Sequence, residues 1–485
     1  MAEGERERLV RKEVMTVDNA IEQGGFGRAQ IRYILAASFV FLTEVILLVS
    51  GSILLPSMIC EWKLPRHYVL ALMLGNHVSF MFGGYIGGKL GDVYGRRKTI
   101  LWGQGLQILL TTVSLTQTDF KLFLALRSLA SVSFGLIMPC TTTIALETSP
   151  RNARFLVKLF LGIAGTLGGT VSSVVAMMFL EDYGWRNVTG MLTAPCLVPI
   201  LLFCMLDESP RFLFLTGDHA GGTEVIKRMY KQNNCEEFVH NIKNRMDNER
   251  GLIKHLFSPE FETTTCILIA VFVVKGFITS TIHLSLPYLM QGTYCNDNTT
   301  TSVYDKQHVK ECGNLSSSHI EMLMWGHLIG IVIVIVVLTS SQLLGRRRAA
   351  AAGYLLTGLC LLSAVLCQGK ALLAIKSTVS LSFNHASTAV IILFVTEIYP
   401  TSSRALALGF FWTVGHIVSL FGPFMAVYLV VGKEFEFFLG GAVLFFVCGA
   451  LVMRINHETY NEPMRESIKE YDLPDSDWDI DYDVN

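Results

Sequence analysis

The chain has 485 residues, 51% of them hydrophobic and 16% charged, with 39 Lys plus Arg against 40 Asp plus Glu. Long stretches almost free of charge exclude an ordinary soluble domain and place the chain among multi-pass membrane proteins. Near-neutrality hides an asymmetry, because most Lys and Arg residues fall in segments on one side of the predicted spans, and this orients both termini to the cytoplasm.

Residues 1–32 are charged and hold neither an early apolar core nor a small-residue cleavage site, so they predict a cytoplasmic N-terminus and not a signal peptide. Six apolar runs follow, at 33–55, 69–90, 98–117, 121–146, 155–180 and 188–206. Each is close to the roughly 20 residues that a membrane-spanning helix needs, and together they predict an N-terminal bundle over 33–206. Residues 207–262 are polar and predict a cytoplasmic linker with short helices in TEVIKRMYKQ and FVHNIKNRMD. Six further runs, at 263–289, 319–341, 348–368, 371–397, 403–431 and 436–455, predict a C-terminal bundle over 263–455 with an external loop at 290–318. An acidic cytoplasmic tail occupies 456–485. The expected fold class is an all-α membrane protein of twelve transmembrane helices in two pseudo-symmetric six-helix halves.

The two halves share short phrases at one offset. ETSPRNAR, from Glu147 to Arg154, returns as EIYPTSSR, from Glu397 to Arg404. Gly95-Arg96-Arg97 returns as Gly345-Arg346-Arg347, and Glu208-Ser209 as Glu458-Thr459. Matched signatures at a constant spacing point to duplicated bundles. Asp92 has no acidic mate, since Gln342 stands at the matching place.

Ionisable groups inside apolar runs are costly and mark function by default. Glu44 lies about 16 Å into the first predicted helix and Arg127 about 9 Å into the fourth at 1.5 Å per residue, so long side chains are expected to meet. Lys275, Thr279 and His283 follow at four-residue steps and share one face of the seventh helix. Lys376, Asn384 and His385 lie on the tenth helix and Trp412 and His416 on the eleventh. These residues are the candidate solute site, and the lysines favour an organic anion or zwitterion. The alternative for each is a packing role, with its polar atoms held by neighbouring helices.

Eleven cysteines show no metal-ligand spacing, so no metal is expected. Cys295 and Cys312 share the polar external loop with glycosylation sequons at Asn298 and Asn314, and on an oxidising side they are expected to pair rather than stay separate thiols. No phosphate loop, Ser/His/Asp set or nucleic-acid module is present, so no enzyme activity, cofactor or nucleic-acid partner is expected. The chain is read as a monomer in a lipid bilayer.

GKLGDVYGRR, with Gly88, Asp92, Gly95, Arg96 and Arg97 in place, resembles the loop signature of the major facilitator superfamily. VDNAIEQGGFGRAQ, CEWKLP, LFSPEF and EIYPTSSRALALG are similar to the synaptic vesicle glycoprotein 2-related proteins, which neighbour the organic-ion and sugar porters. The resemblance implies secondary transport of a small organic solute by alternating access, in a plasma or vesicle membrane. It further implies a cytoplasmic gate of Asp92, Arg96, Arg97, Glu147, Arg154, Glu208, Arg346, Arg347, Glu397, Arg404 and Glu458. By likeness to proton-coupled sugar carriers, Glu44 and Arg127 would be the coupling pair. By likeness to organic-ion carriers, the position of His416 would sense the sign of the solute. The other reading kept open is a non-transporting receptor or vesicle regulator on the same fold, and static ion pairs in place of a gate.

Overall fold

The computed structural model describes residues 14–235, 241–242, 253–291, 317–365, 370–425 and 434–460. The external-loop residues Cys295, Asn298, Cys312 and Asn314 lie outside them. Among the described residues, the N-terminal half holds α1 (Arg28–Ile53), α2 (Arg66–Tyr94), α3 (Arg96–Leu115) and α4 (Phe120–Glu147). A helix over Arg154–Thr193 follows, and it breaks at Gly184, whose φ of 72° and ψ of 164° are open to a residue without Cβ. The break separates α5 (154–183) from α6, which continues through a 3-10 turn to Cys204 (185–204). The C-terminal half holds α7 (Glu262–Gln291), α8 (Ser317–Leu344), α9 (Arg346–Val365), α10 (Lys370–Ile398), α11 (Arg404–Ser419) and α12 (Glu434–Met453).

These twelve helices fall on the expected apolar runs, and among the described residues ten stretches are long and apolar enough to cross a membrane, with α5 and α6 counted as one and α3 not among them. Their outward faces carry exposed apolar side chains, among them Trp102, Leu109, Met178, Leu201 and Val332. A bilayer is the solvent in which such faces cost nothing to expose. Between the halves, α2 packs on α11 and α5 on α8. Small residues allow this: a Cβ on Gly409 would sit 2.2 Å from the Gly84 carbonyl oxygen, and one on Gly169 would sit 2.7 Å from His327 Nδ1. Gly83 and Gly87, one position earlier in each pair, meet α4 instead. The stretch GGYIGGKLG therefore serves two contacts, one toward each neighbour.

The end of the molecule that carries the linker is more built than the sequence predicts. A short helix, Val17–Gln23, is capped by Thr16 and buries Val17, Ala20 and Ile21 against Phe214, Ile226 and Tyr230 of the linker helices Pro210–Leu215 and His219–Gln232. Tyr230 donates to the Ala20 carbonyl at 2.8 Å. Asn241–Ile242, expected in a helix, pair instead in parallel with Val14–Met15. We call this end the linker face.

Candidate functional site

At the linker face the repeated phrases converge. Gly95 and Gly345 turn the chain with φ of 110° and 85°, and the helices that follow point their first N–H groups at carboxylates. Glu208 accepts from the Arg96 N–H at 3.1 Å and the Arg97 N–H at 3.0 Å. Glu458 repeats this with the Arg346 N–H at 2.9 Å and the Arg347 N–H at 3.3 Å. A carboxylate is favoured there because it meets unpaired donors and the positive end of a helix. Burial raises the pKa of Glu208 above the ordinary carboxyl range, against the pull of the Ser209 N–H and the Arg96 charge. Arg97 also holds the end of α6, donating to the Phe203 carbonyl at 2.9 Å, and Arg347 does the same to Ile455.

Beneath these caps lies a fully buried ion cluster. Arg96 pairs with Asp92 at 3.0 Å and with Glu147 at 3.3 Å, and Arg404 of the other half reaches the same Glu147 oxygen at 3.0 Å. Ser209 donates to the second Glu147 oxygen at 2.5 Å. The C-terminal copy has Arg346 with Glu397 at 3.5 Å and Thr459 donating to Glu397 at 2.6 Å. The copies differ where the sequences differ. Asp92 accepts the Leu406 N–H at 2.8 Å and so ties α2 to the start of α11, whereas Arg346 turns to Ser341 at 3.1 Å and Gln342 Nε2 meets no partner among the described residues. One crossing tie therefore has no duplicate at this position.

Arg154 and Arg211, with Arg151, also converge on Asp18 of the N-terminal helix, Arg151 at 2.7 Å and Arg154 at 3.3 Å. Burial works against the Asp18 carboxylate, but the charges of Arg211 and Arg154 outweigh it and hold its pKa well below the ordinary range. The ionised form thus stabilises the fold above the unfolded carboxyl pKa, and that contribution is lost as pH falls toward the depressed folded value. Asp18→Asn is expected to lower the thermal unfolding midpoint of the detergent-solubilised protein at pH 7, with the gap from wild type closing below about pH 4. A gap of constant size from pH 3 to 8 would sink this assignment.

The expected contact between Glu44 and Arg127 is corrected. Glu44, 0% exposed, accepts from Gln104 Nε2 at 3.0 Å and Gln107 Nε2 at 2.9 Å, both on α3. No ion pair joins it to Arg127 among the described residues, and Arg127 is part-exposed on α4. Depth along each helix brought the two residues near one level, but the rotation of α1 directs Glu44 at α3.

In the centre, Lys275 Nζ lies 5.1 Å from the Trp412 ring and 5.5 Å from Phe272, both cation–π distances. Thr279 accepts from Asn384 Nδ2 at 2.6 Å, and His283 stacks on His385 with ring centroids 5.9 Å apart. His416 packs between Trp412 at 5.9 Å and His77 at 5.8 Å. The candidate residues of α7, α10 and α11 thus come together, with Asn384 Oδ1, His77 Nδ1 and His416 Nδ1 buried and without partners among the described residues. Lys376 is the exception: it donates to the Ser363 carbonyl on α9 at 2.8 Å, away from the group.

Several residues here were not singled out in the sequence. Lys158, 2% exposed, places its ammonium 5.6 Å from the Phe41 ring. His77 joins the central group through α2, and His327 of α8 lies over Gly169 on the seam with α5. Gln104 and Gln107 were legible only as polar residues at i and i+3 in an apolar run. Asp18 has a signal in Thr16-Val17-Asp18-Asn19, the start of a capped helix within the family-resembling stretch VDNAIEQGGFGRAQ.

The family model described as sugar (and other) transporter matches residues 68–466. The chain is 25% identical over 411 residues to the synaptic vesicle 2-related protein of Rattus norvegicus, covering 84% of this chain and 75% of that relative. It is 22% identical over 477 residues to the putative transporter SVOPL of Homo sapiens, covering 93% of each. The solved structure of the major facilitator superfamily proton:xylose symporter XylE with 6-bromo-6-deoxy-D-glucose is similar at a TM-score of 0.70 and 14% identity, covering 90% of this chain and 98% of that one. The family match takes in most of the chain and agrees with its twelve-helix, two-half architecture, which that solved structure shares: the chain belongs to the sugar (and other) transporter family, multi-pass membrane carriers of small solutes and not enzymes.

Proposed function

We propose that this chain carries a small organic anion across a membrane by alternating access, driven by protons through Glu44, with the linker face toward the cytoplasm. The observation that carries the solute class is the make-up of the centre. Lys275, His77, His283, His385 and His416 gather there, with Lys158 bordering them through the wall that Phe41 and Trp412 share, while the buried acids nearby are already engaged. Asp92, Glu147 and Glu397 are held by arginines and Glu44 by two amides. A buried ammonium either loses its charge or finds an anion, and the solute supplies that charge. The gate ties between halves are the contacts that must break for the linker face to open. Synaptic vesicle 2-related proteins among the relatives favour an intracellular vesicle as the membrane.

The test is uptake into proteoliposomes, with an organic acid and its neutral amide as competitors. The acid is expected to compete better in wild type. Lys275→Met is expected to reduce that preference about 10-fold to 100-fold, the worth of a charge-assisted hydrogen bond of roughly 1.5–3 kcal/mol. Equal competition by acid and amide in wild type would overturn the anion assignment.

A further inference from the structure

The two central lysines come from different halves, Lys158 from α5 and Lys275 from α7. Each sits on the face of an aromatic ring, Phe41 for Lys158 and Trp412 for Lys275. Both rings pack against one apolar cluster, Phe80, Phe134 and Met138, with Phe80 and Phe134 centroids 4.5 Å apart. The ammonium groups thus lie on two rings that share one apolar wall, one from each half. Among the described residues, the contacts of these two ammonium groups are with aromatic rings, and neither forms an ion pair or hydrogen bond there. Two like charges held across a low-dielectric wall repel, and a single monoanion leaves one of them uncompensated.

We infer that the central site takes an organic dianion, one anionic group on Lys158 and the other on Lys275, with an apolar body against Phe41 and Trp412. Such a solute neutralises both lysines at once and joins the two halves through itself. This gives binding a direct preference for a closed arrangement of the halves, since differential affinity is what shifts a conformational equilibrium. Lys158 also stands one helical turn from Arg154 of the gate, so the solute's lower group lies next to the linker-face closure.

The inference rests on the anion reading and is tested separately from it. Binding to the purified full chain is measured by thermal stabilisation with terephthalate and adipate, with their monomethyl esters, and with their neutral dimethyl esters. The diacids are expected to bind at least tenfold more tightly than the monoesters in wild type. Lys158→Met and Lys275→Met are each expected to bring the diacid down to the monoester, and Lys158→Arg to retain the difference. Comparison of the ligands on wild type stands without any variant, should Lys158→Met fail to fold. Diacid and monoester binding alike, both above the diester, overturns the dianion and leaves the anion reading intact. All three binding alike, or none binding, overturns this inference, and a diester that binds as well as its acids removes the anion reading too.

Discussion

Glu147→Gln is expected to open the linker face. Glu147 is 0% exposed and its carboxylate serves Arg96 of its own half and Arg404 of the other, so one substitution weakens a tie between α3 and α4 and a tie between halves. Removing one member of a buried ion pair costs about 3–5 kcal/mol, because the remaining charge is left poorly compensated. Only the part of that cost borne by the closed state shifts the equilibrium, and each 1.4 kcal/mol of it is about tenfold. Cys140 reports the change without a new side chain: it is 0% exposed, and its thiol lies 3.3 Å from the Gly87 carbonyl beside the α2–α11 contact. In a background without other free cysteines, Cys140 is expected to react with a linker-face thiol reagent at least about tenfold faster in Glu147→Gln. An unchanged rate in a folded variant would mean that the cluster is a static set of ion pairs. Asp92→Asn acts in the same direction through the α2–α11 tie.

Glu44→Gln is expected to abolish pH-driven uphill accumulation while solute exchange between the two sides continues. Among the described residues, the other buried carboxylates, Asp18, Asp92, Glu147 and Glu397, each pair with arginine, whereas Glu44 meets only amides. Amides suit either protonation state. They donate to a carboxylate as here, and after rotation their oxygens accept from a carboxyl O–H. Gln104 Oε1 and Gln107 Oε1 have no partners among the described residues. A glutamine at 44 imitates the protonated acid in shape and neutrality but cannot cycle. The accumulation ratio under an imposed pH gradient is therefore expected to fall to about one, the limit for a carrier that no longer couples to the proton. Retained pH-driven accumulation would exclude Glu44 from the coupling step. Failure of the variant to fold would assign it to structure alone.

The sequence by itself determined the membrane class, the helix count and the duplication. Apolar runs near 20 residues have few stable forms other than spanning helices, and that constraint acts locally. The repeated Glu-x-x-Pro-x-x-x-Arg and Gly-Arg-Arg phrases likewise marked the linker-face residues, because a helix end needs its cap and its turn within a few positions. Tertiary structure decided who meets whom. Glu147 and Arg404 are 257 positions apart and Arg211 and Asp18 are 193 apart, so neither pairing is written in any local pattern. Depth along a helix was legible for Glu44 and Arg127, but the direction of each side chain depends on how its helix is rotated about its axis. That rotation follows from contacts such as Gly162 with Val334 and Gly169 with His327 on the α5–α8 seam, and Gly168 with the Leu42 carbonyl between α5 and α1. It turns Lys158, which sequence spacing leaves as an ordinary lysine near a helix end, inward against Phe41, and it turns Glu44 toward α3 and away from Arg127. Burial then magnifies the outcome, because a charge placed inward must find its counterpart in the protein or in the solute.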